Sequence, residues 1–198
     1  IAVERINKSG IKFIDNRKLK FTINSTEEEK ITTLISENAK PFISRYKFIK
    51  GFDNGTLDYY STKKYGISES QLKVYDFKLK ELPVLTKVLS LASLQGIADL
   101  LTGEGIRFNE FEMNFKNENS IIKIEEIYAI GPAISIMMEG YVEKKKTVSL
   151  RGTLVPATTI NKIISSIPLL GQILVGSKTG EGVFGVSFKI KGPPEDLQ

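Results

Sequence analysis

The feature that most constrains this fold is a period-two alternation of apolar residues in the second half of the chain. Ile134, Ile136 and Met138 lie two residues apart, and residues 147–155 repeat the same spacing. Successive residues of a β-strand point to opposite faces, so the spacing predicts strands with one apolar face. The charged run Glu143–Lys144–Lys145–Lys146 between the two segments predicts the tip of a hairpin.

Similar but less regular patterns predict further strands along the chain. These strands are expected over residues 2–6, 11–14, 19–23, 46–49, 56–60, 71–79, 106–115, 121–129 and 184–190. Three helices are expected between them. The first follows the capping-box spacing of Ser25 with Glu28 and ends before Pro41, the second spans residues 82–101, and the third spans residues 158–174. The fold class is therefore mostly β with inserted helices (α+β).

The 198 residues include neither Cys nor His, which excludes several classes of function. Thiol nucleophiles, Ser-His-Asp triads and thiolate or imidazole zinc sites all need one of these residues. Away from predicted helix starts, Glu125 and Glu126 form the best carboxylate pair, but neighbouring strand residues are expected to face opposite ways, so they cannot easily share a substrate. We expect a protein that is not an enzyme and that has no metal site and no cofactor.

Two motifs resemble ligand sites and are better explained as local structure. Gly180, Gly182 and Gly185 have the glycine-loop spacing, but they lead into an alternating strand rather than a helix that could hold a pyrophosphate. The lysine runs at residues 63–64 and 144–146 lie near tyrosines, but they occupy predicted turns without a stacking platform. We therefore expect no nucleic-acid partner.

Three segments resemble one family. LKVYDFKLKELPVLTKVLSLASLQGIADLLTGEGIRFNEFEMNF begins at Leu72, and the other two segments cover residues 131–174 and 180–197. They include the PLLG at residues 168–171 and the late Gly192-Pro193. Together they resemble the AsmA-like C-terminal domain of large bacterial envelope proteins. The resemblance is less distinctive over the first 70 residues.

The resemblance implies a function in lipid transport. AsmA-like proteins are anchored in the inner membrane by one N-terminal helix and cross the periplasm as a long curled β-sheet with an apolar inner surface. Phospholipid acyl chains move along this surface between the inner and outer membranes. The chain would then be a single domain, residues 1–198, of a larger periplasmic protein, with a possible subdivision into residues 1–80 and 81–198. The anchoring helix would lie outside it.

On this interpretation the fold is a curled antiparallel sheet with an apolar concave face and about three helices packed on it. The partners would be phospholipid acyl chains, with a membrane surface and other envelope proteins as further candidates. The residues expected to line the lipid groove are Phe108, Met113, Phe115, Ile136, Met138, Phe184, Val186 and Phe188. Because Phe108 is out of step with Met113 and Phe115, the set requires a bulge between them.

Two other functions fit the same pattern. The apolar faces could form a closed core, and the sheet edge or the helices would then dock envelope proteins in a non-catalytic assembly module. An enzyme that uses carboxylates or lysines would need a pocket in which such groups converge.

Overall fold

The computed structural model describes residues 18–46, 49, 51–80, 82–91, 94–144, 146–156 and 185–193. Nine antiparallel strands form one open sheet, in which each strand pairs with its neighbours in the sequence. The strands are β1 (Leu19–Ser25), β2 (Glu29–Ser36), β3 (Asp53–Lys64), β4 (Ile67–Leu79), β5 (Ile106–Glu118), β6 (Ile121–Ile130), β7 (Ile134–Glu143), β8 (Thr147–Pro156) and β9 (Val186–Gly192). The prediction of a mostly β protein with inserted helices is confirmed.

The described helices all lie in the connections at one end of the sheet. They are α1 (Lys40–Ile43), between β2 and β3, and α2 (Pro83–Leu91) and α3 (Gln95–Thr102), between β4 and β5. We call this the helical end. The opposite end carries the short turns that join β1 to β2, β3 to β4, β5 to β6 and β7 to β8, and we call it the tip end.

The first predicted helix is wrong, because its residues form a hairpin. Thr26 accepts a hydrogen bond from the Glu29 N–H at its Oγ1 (3.1 Å) and donates its own N–H to the Glu29 carbonyl (2.8 Å). A Thr–Glu pair three residues apart therefore closes a β-turn here instead of capping a helix. The β-branched run that follows, ITTLIS from Ile31, favours a strand over a helix.

Two other elements differ from the prediction. The helix expected over residues 82–101 is divided into α2 and α3, where the Leu94 N–H donates to the Leu89 carbonyl at 2.8 Å. The break allows Leu89 and Leu101, one in each helix and both 0% exposed, to join one buried cluster. The strand expected over residues 46–49 is wrong at the residues described there, because the Ile49 N–H donates to the Tyr46 carbonyl in a turn.

The buried cluster joins the helices to one face of the sheet. The helical segments contribute Ala39, Ile43, Leu85, Leu89, Ala98 and Leu101, and the middle of the sheet contributes Leu57, Val74, Ala129, Ile136 and Leu154. Residues directly opposite each other in an antiparallel ladder share a face. The pairing of Leu57 with Val74, and of Ile136 with Leu154, therefore places these side chains on the same face as the helices.

Near the helical end, the regular alternation of side chains between the two faces of the sheet is interrupted. Asp76 has a φ of +51°, and its ladder pairs with the adjacent strands are missing. A left-handed residue interrupts the two-residue repeat, so Val74 and Phe77, three residues apart, are both buried in the cluster. The helix expected over residues 158–174 and the strands expected before residue 18 lie outside the described residues.

Candidate functional site

The face of the sheet that carries the helices is the candidate site, because three successive rows of side chains across it contain no charged residue. Each row crosses all nine strands through directly paired residues. The first row is Leu19, Ser36, Leu57, Val74, Phe111, Ala129, Ile136, Leu154 and Val186. The second row is Phe21, Leu34, Tyr59, Leu72, Met113, Ile127, Met138, Gly152 and Phe188. The third row is Ile23, Thr32, Ser61, Ser70, Phe115, Ile124, Gly140, Leu150 and Ile190.

We call this surface the apolar face, and six of the predicted lining residues lie on it. Ile136 and Val186 belong to the first row, and Phe115 belongs to the third. Met113, Met138 and Phe188 all belong to the second row. The structure therefore brings together six side chains from β5, β7 and β9.

The other two predicted lining residues are placed differently. Phe108 is 1% exposed and stacks on Phe77, with 5.4 Å between the ring centroids. It is thus a core residue near the helical end. The bulge expected between Phe108 and Met113 does not occur, because β4 and β5 pair without a shift of register. The alternation of side chains between the two faces is interrupted instead at Asp76 of β4, whose backbone is left-handed. Phe184 lies outside the described residues.

A bulge in β6 keeps its isoleucines on the apolar face. Ile124 and Ile127 are three residues apart and would face opposite ways in a regular strand. The pairing of β6 with both neighbours shifts between them, so Glu125 is the extra residue of a bulge and both isoleucines stay on the apolar face. They are 7% and 6% exposed, respectively. Sequence reasoning missed both residues, although the change in spacing at Glu125 was a visible signal.

A glycine brings two of the predicted lining residues together. Gly152 lies between Met138 and Phe188 in the second row. A Cβ atom there would lie 2.6 Å from the Met138 Cγ and 2.8 Å from the Phe188 Cζ. Both side chains therefore close over the glycine and make the second row continuous across β8.

The opposite face of the sheet is polar and carries the cross-strand ion pairs of the described residues. Its most buried group is Glu112, which is 7% exposed. The Lys73 ammonium lies 2.9 Å from its carboxylate, Gln71 and Asn114 donate to it at 2.8 and 2.9 Å, and the Tyr128 hydroxyl also donates to it. Sequence reasoning gave no signal for this network, because Glu112 belongs to no motif.

The electrostatics of this network favour an ionised Glu112. Burial alone would raise the pKa of Glu112, but the hydrogen bonds from Tyr128, Lys73 and Asn114 outweigh it and hold the pKa below its ordinary value. The hydrogen bond to Glu112 raises the pKa of Lys73. Burial, followed by the hydrogen bond to Glu112, raises the pKa of Tyr128. Each charge has a partner, as a structural network requires.

A shallow cavity of about 780 Å³ is lined mostly by residues of the polar face, Glu125 and Glu126 among them, and also by Met138, Gly152 and Phe188 of the second row. The expectation that these two carboxylates face opposite ways is therefore wrong, because the bulge places both beside one cavity. Glu125 pairs with Lys116 at 3.4 Å, and Glu139, which also lines the cavity, pairs with Arg151 at 2.5 Å. These ion pairs are solvent-exposed and are therefore expected to contribute little to stability.

The comparisons with protein-family models, with curated proteins and with solved structures found no match to this chain. Among the described residues, no helix has the length and apolar character needed to cross a membrane. The candidate function therefore depends on the geometry of the two faces and on the resemblance found in the sequence.

Proposed function

We propose that the apolar face holds the acyl chains of phospholipids, and that the chain is part of a periplasmic protein that carries them between the inner and outer membranes. The observation that carries this proposal is the three uncharged rows that cross all nine strands. A sheet with strands about 4.8 Å apart offers about 38 Å of uncharged surface along each row. This direction would be the path of the lipid. The apolar side chains are most continuous in the second row, whereas Thr32, Ser61 and Ser70 interrupt them in the third.

The physical basis is the transfer of methylene groups out of water. Each buried methylene contributes about 0.8 kcal/mol, so an acyl chain is held firmly by any continuous apolar surface. Movement along a row exchanges one apolar contact for a similar one and therefore costs little. The charged head group would stay outside the rows, because they offer no ion-pair partner.

The second and third rows are the better candidates for lipid contact, because the helices take up much of the first. Leu57, Val74 and Leu154 of the first row are at most 3% exposed and belong to the buried cluster beneath the helices. Phe115, Leu150 and Ile190 of the third row are only half-buried. A concave shape of this face is part of the proposal, as a curved surface would enclose the chain on more sides.

Strand β9 offers a matched pair of substitutions to test the proposal. Ile190 lies on the apolar face and Ser187 on the polar face of the same edge strand. We expect Ile190→Glu to remove most of the phospholipid that copurifies with the chain, because an acyl chain that covered this half-buried position would have to desolvate the carboxylate. Ser187→Glu should retain the lipid. The measurement is native mass spectrometry with lipid extraction, and thermal unfolding controls for the fold.

Equal lipid content in the two variants would contradict the proposal. A wild-type chain without lipid would instead favour the non-catalytic assembly module, in which the apolar face is a closed core.

A further inference from the structure

The tip end of the sheet combines exposed apolar side chains with lysines. Tyr65, in the turn between β3 and β4, is 86% exposed, and Ile67 beside it is 38% exposed. Ile121 and Tyr141, near the next two turns along the sheet, are 50% and 44% exposed. Single exposed apolar residues are common on protein surfaces, but a group at one end of a sheet suggests a contact surface.

The backbone of Tyr65 has a conformation that is unusual for a bulky residue. Tyr65 has a φ of +48° and Gly66 has a φ of +84°, so both central residues of the two-residue turn are left-handed. Such turns favour Asn-Gly or Asp-Gly, and a bulky residue in the first position is strained. The chain thus has a strained aromatic residue whose side chain is 86% exposed, and strain of this kind is concentrated at functional sites.

The charges around Tyr65 are mostly positive. Lys63 and Lys64 precede it, and no acidic residue occurs between Lys63 and Ser68. Glu29 pairs with Lys64 at 3.2 Å, while Lys63 lies directly opposite Lys30 in the ladder between β2 and β3. Two like charges in directly opposite positions repel each other, and a nearby anionic surface would relieve that repulsion.

A second basic turn lies at the same end. Lys144 and Lys146 belong to the turn between β7 and β8; Lys146 pairs with Glu143, and Lys144 donates to the Asn117 side chain at 3.2 Å. Acidic residues also lie at this end: Glu27 and Glu28 in the turn between β1 and β2, Glu118 directly opposite Ile121, and Glu143 beside Lys146. The lysines of this end are concentrated in the turn between β3 and β4 and in the turn between β7 and β8.

We propose that the tip patch, defined as Lys63, Lys64, Tyr65, Ile67, Ile121 and Lys144, docks onto the surface of an anionic phospholipid bilayer. Tyrosine is favoured at the level of the lipid head groups because its ring is apolar and its hydroxyl is polar. Lysines add attraction to anionic lipids, and each one near the surface strengthens binding about fivefold. The inference goes beyond the proposed function, because docking on a bilayer surface does not require a lipid on the apolar face.

The test is sedimentation of the full chain with vesicles. One set contains phosphatidylcholine alone, and in the other about a third of the lipid is phosphatidylglycerol, enough to give a strongly negative surface. We expect binding only to the anionic vesicles and weaker binding at high salt. Tyr65→Asn should weaken binding several-fold while the turn is retained, since asparagine adopts a positive φ readily.

Two further variants sharpen the test. Lys63→Gln should weaken binding by about fivefold, because one lysine near the surface is lost. It also removes the repulsion with Lys30, so we expect the fold to be retained, and thermal unfolding of the variant checks this. Leu91→Asn is the control, since Leu91 is 79% exposed but lies at the helical end, and it should bind like the wild type.

The proposal would be overturned by equal binding to both kinds of vesicle, by no binding to either, or by unchanged binding of Tyr65→Asn and Lys63→Gln. These results are separable from those of the lipid extraction. A chain that copurifies with phospholipid but ignores vesicles would refute only the docking surface, and a lipid-free chain that binds anionic vesicles would refute only the carrier function.

Discussion

The two faces of the sheet are built from the same nine strands but differ in how their neighbouring residues interact. On the apolar face, three rows lack charge, and contacts such as Met138 and Phe188 over Gly152 depend on shape. On the polar face, neighbouring strands are linked by ion pairs such as Lys73 with Glu112 and Arg151 with Glu139. The difference shows that, because side chains alternate along a strand, the packing of side-chain volumes can hold one face of a sheet together while ion pairs hold the other.

The largest effect is expected from an added methyl group on the apolar face. Gly140 has a φ of +147°, and a Cβ atom there would lie 2.1 Å from the Ser149 carbonyl oxygen. Because the obstacle is backbone, we expect Gly140→Ala to lower the free energy of unfolding by about 3 kcal/mol. Urea denaturation measures this change. Gly66→Ala is the control for backbone strain without a clash, because Gly66 has a φ of +84° and its Cβ would meet nothing within 4 Å. A loss for Gly140→Ala no greater than that for Gly66→Ala would contradict the assigned geometry.

The next effect is expected from the buried carboxylate of the polar face. Glu112→Gln leaves Lys73 and Tyr128 without their charged acceptor, and we expect a loss of about 2 kcal/mol in the free energy of unfolding. The carboxylates at Glu126 or Glu139 provide comparison sites that lack this hydrogen-bond network. A smaller loss for Glu112→Gln than for Glu126→Gln would show that the network does not stabilise the polar face.

The same carboxyl group predicts a pH dependence. The folded-state pKa of Glu112 lies below its ordinary value of 4.5. The ionised form therefore stabilises the fold above that value, and this contribution is lost as the pH falls through the folded-state pKa. Stability curves of the wild type and Glu112→Gln should converge in acid, and parallel curves would contradict the assignment.

The smallest effect is expected from an exposed ion pair on the polar face. The side chains of Arg151 and Glu139 are 72% and 51% exposed, although they lie 2.5 Å apart. Because solvent screens such a pair, Arg151→Ala should change the free energy of unfolding by less than about 0.5 kcal/mol. A loss comparable to that of Glu112→Gln would mean that burial does not distinguish the ion pairs of this face.

The sequence predicted the strands best where a regular alternation coincided with a short turn. Strands β6, β7 and β8 lie where the spacing predicted them, and their pairing confirms that Ile136 and Met138 share a face. The local pattern failed at Thr26 and Glu29, because the same hydrogen-bonding residues can cap a helix or close a hairpin. Only the pairing of the following strand with β3 decides between the two.

The candidate site was predictable in part for a related reason. Alternation identifies the apolar residues of one strand, but it cannot place them relative to the next strand across a bulge. Ile127 was therefore missed, and Phe108 was grouped with Met113 although it packs in the core. The network around Glu112 could not be predicted from the sequence, because its partners lie on β4, β5 and β6 and become neighbours only through the register of these strands.

The most direct test of the central claim is photo-crosslinking from adjacent residues of β7. A photoreactive amino acid is placed at Met138 on the apolar face or at Glu139 on the polar face, in cells in which the protein is exposed to phospholipid. We expect phospholipid adducts at Met138 and none above background at Glu139. Adducts at both positions, or at neither, would contradict a lipid path along the apolar face.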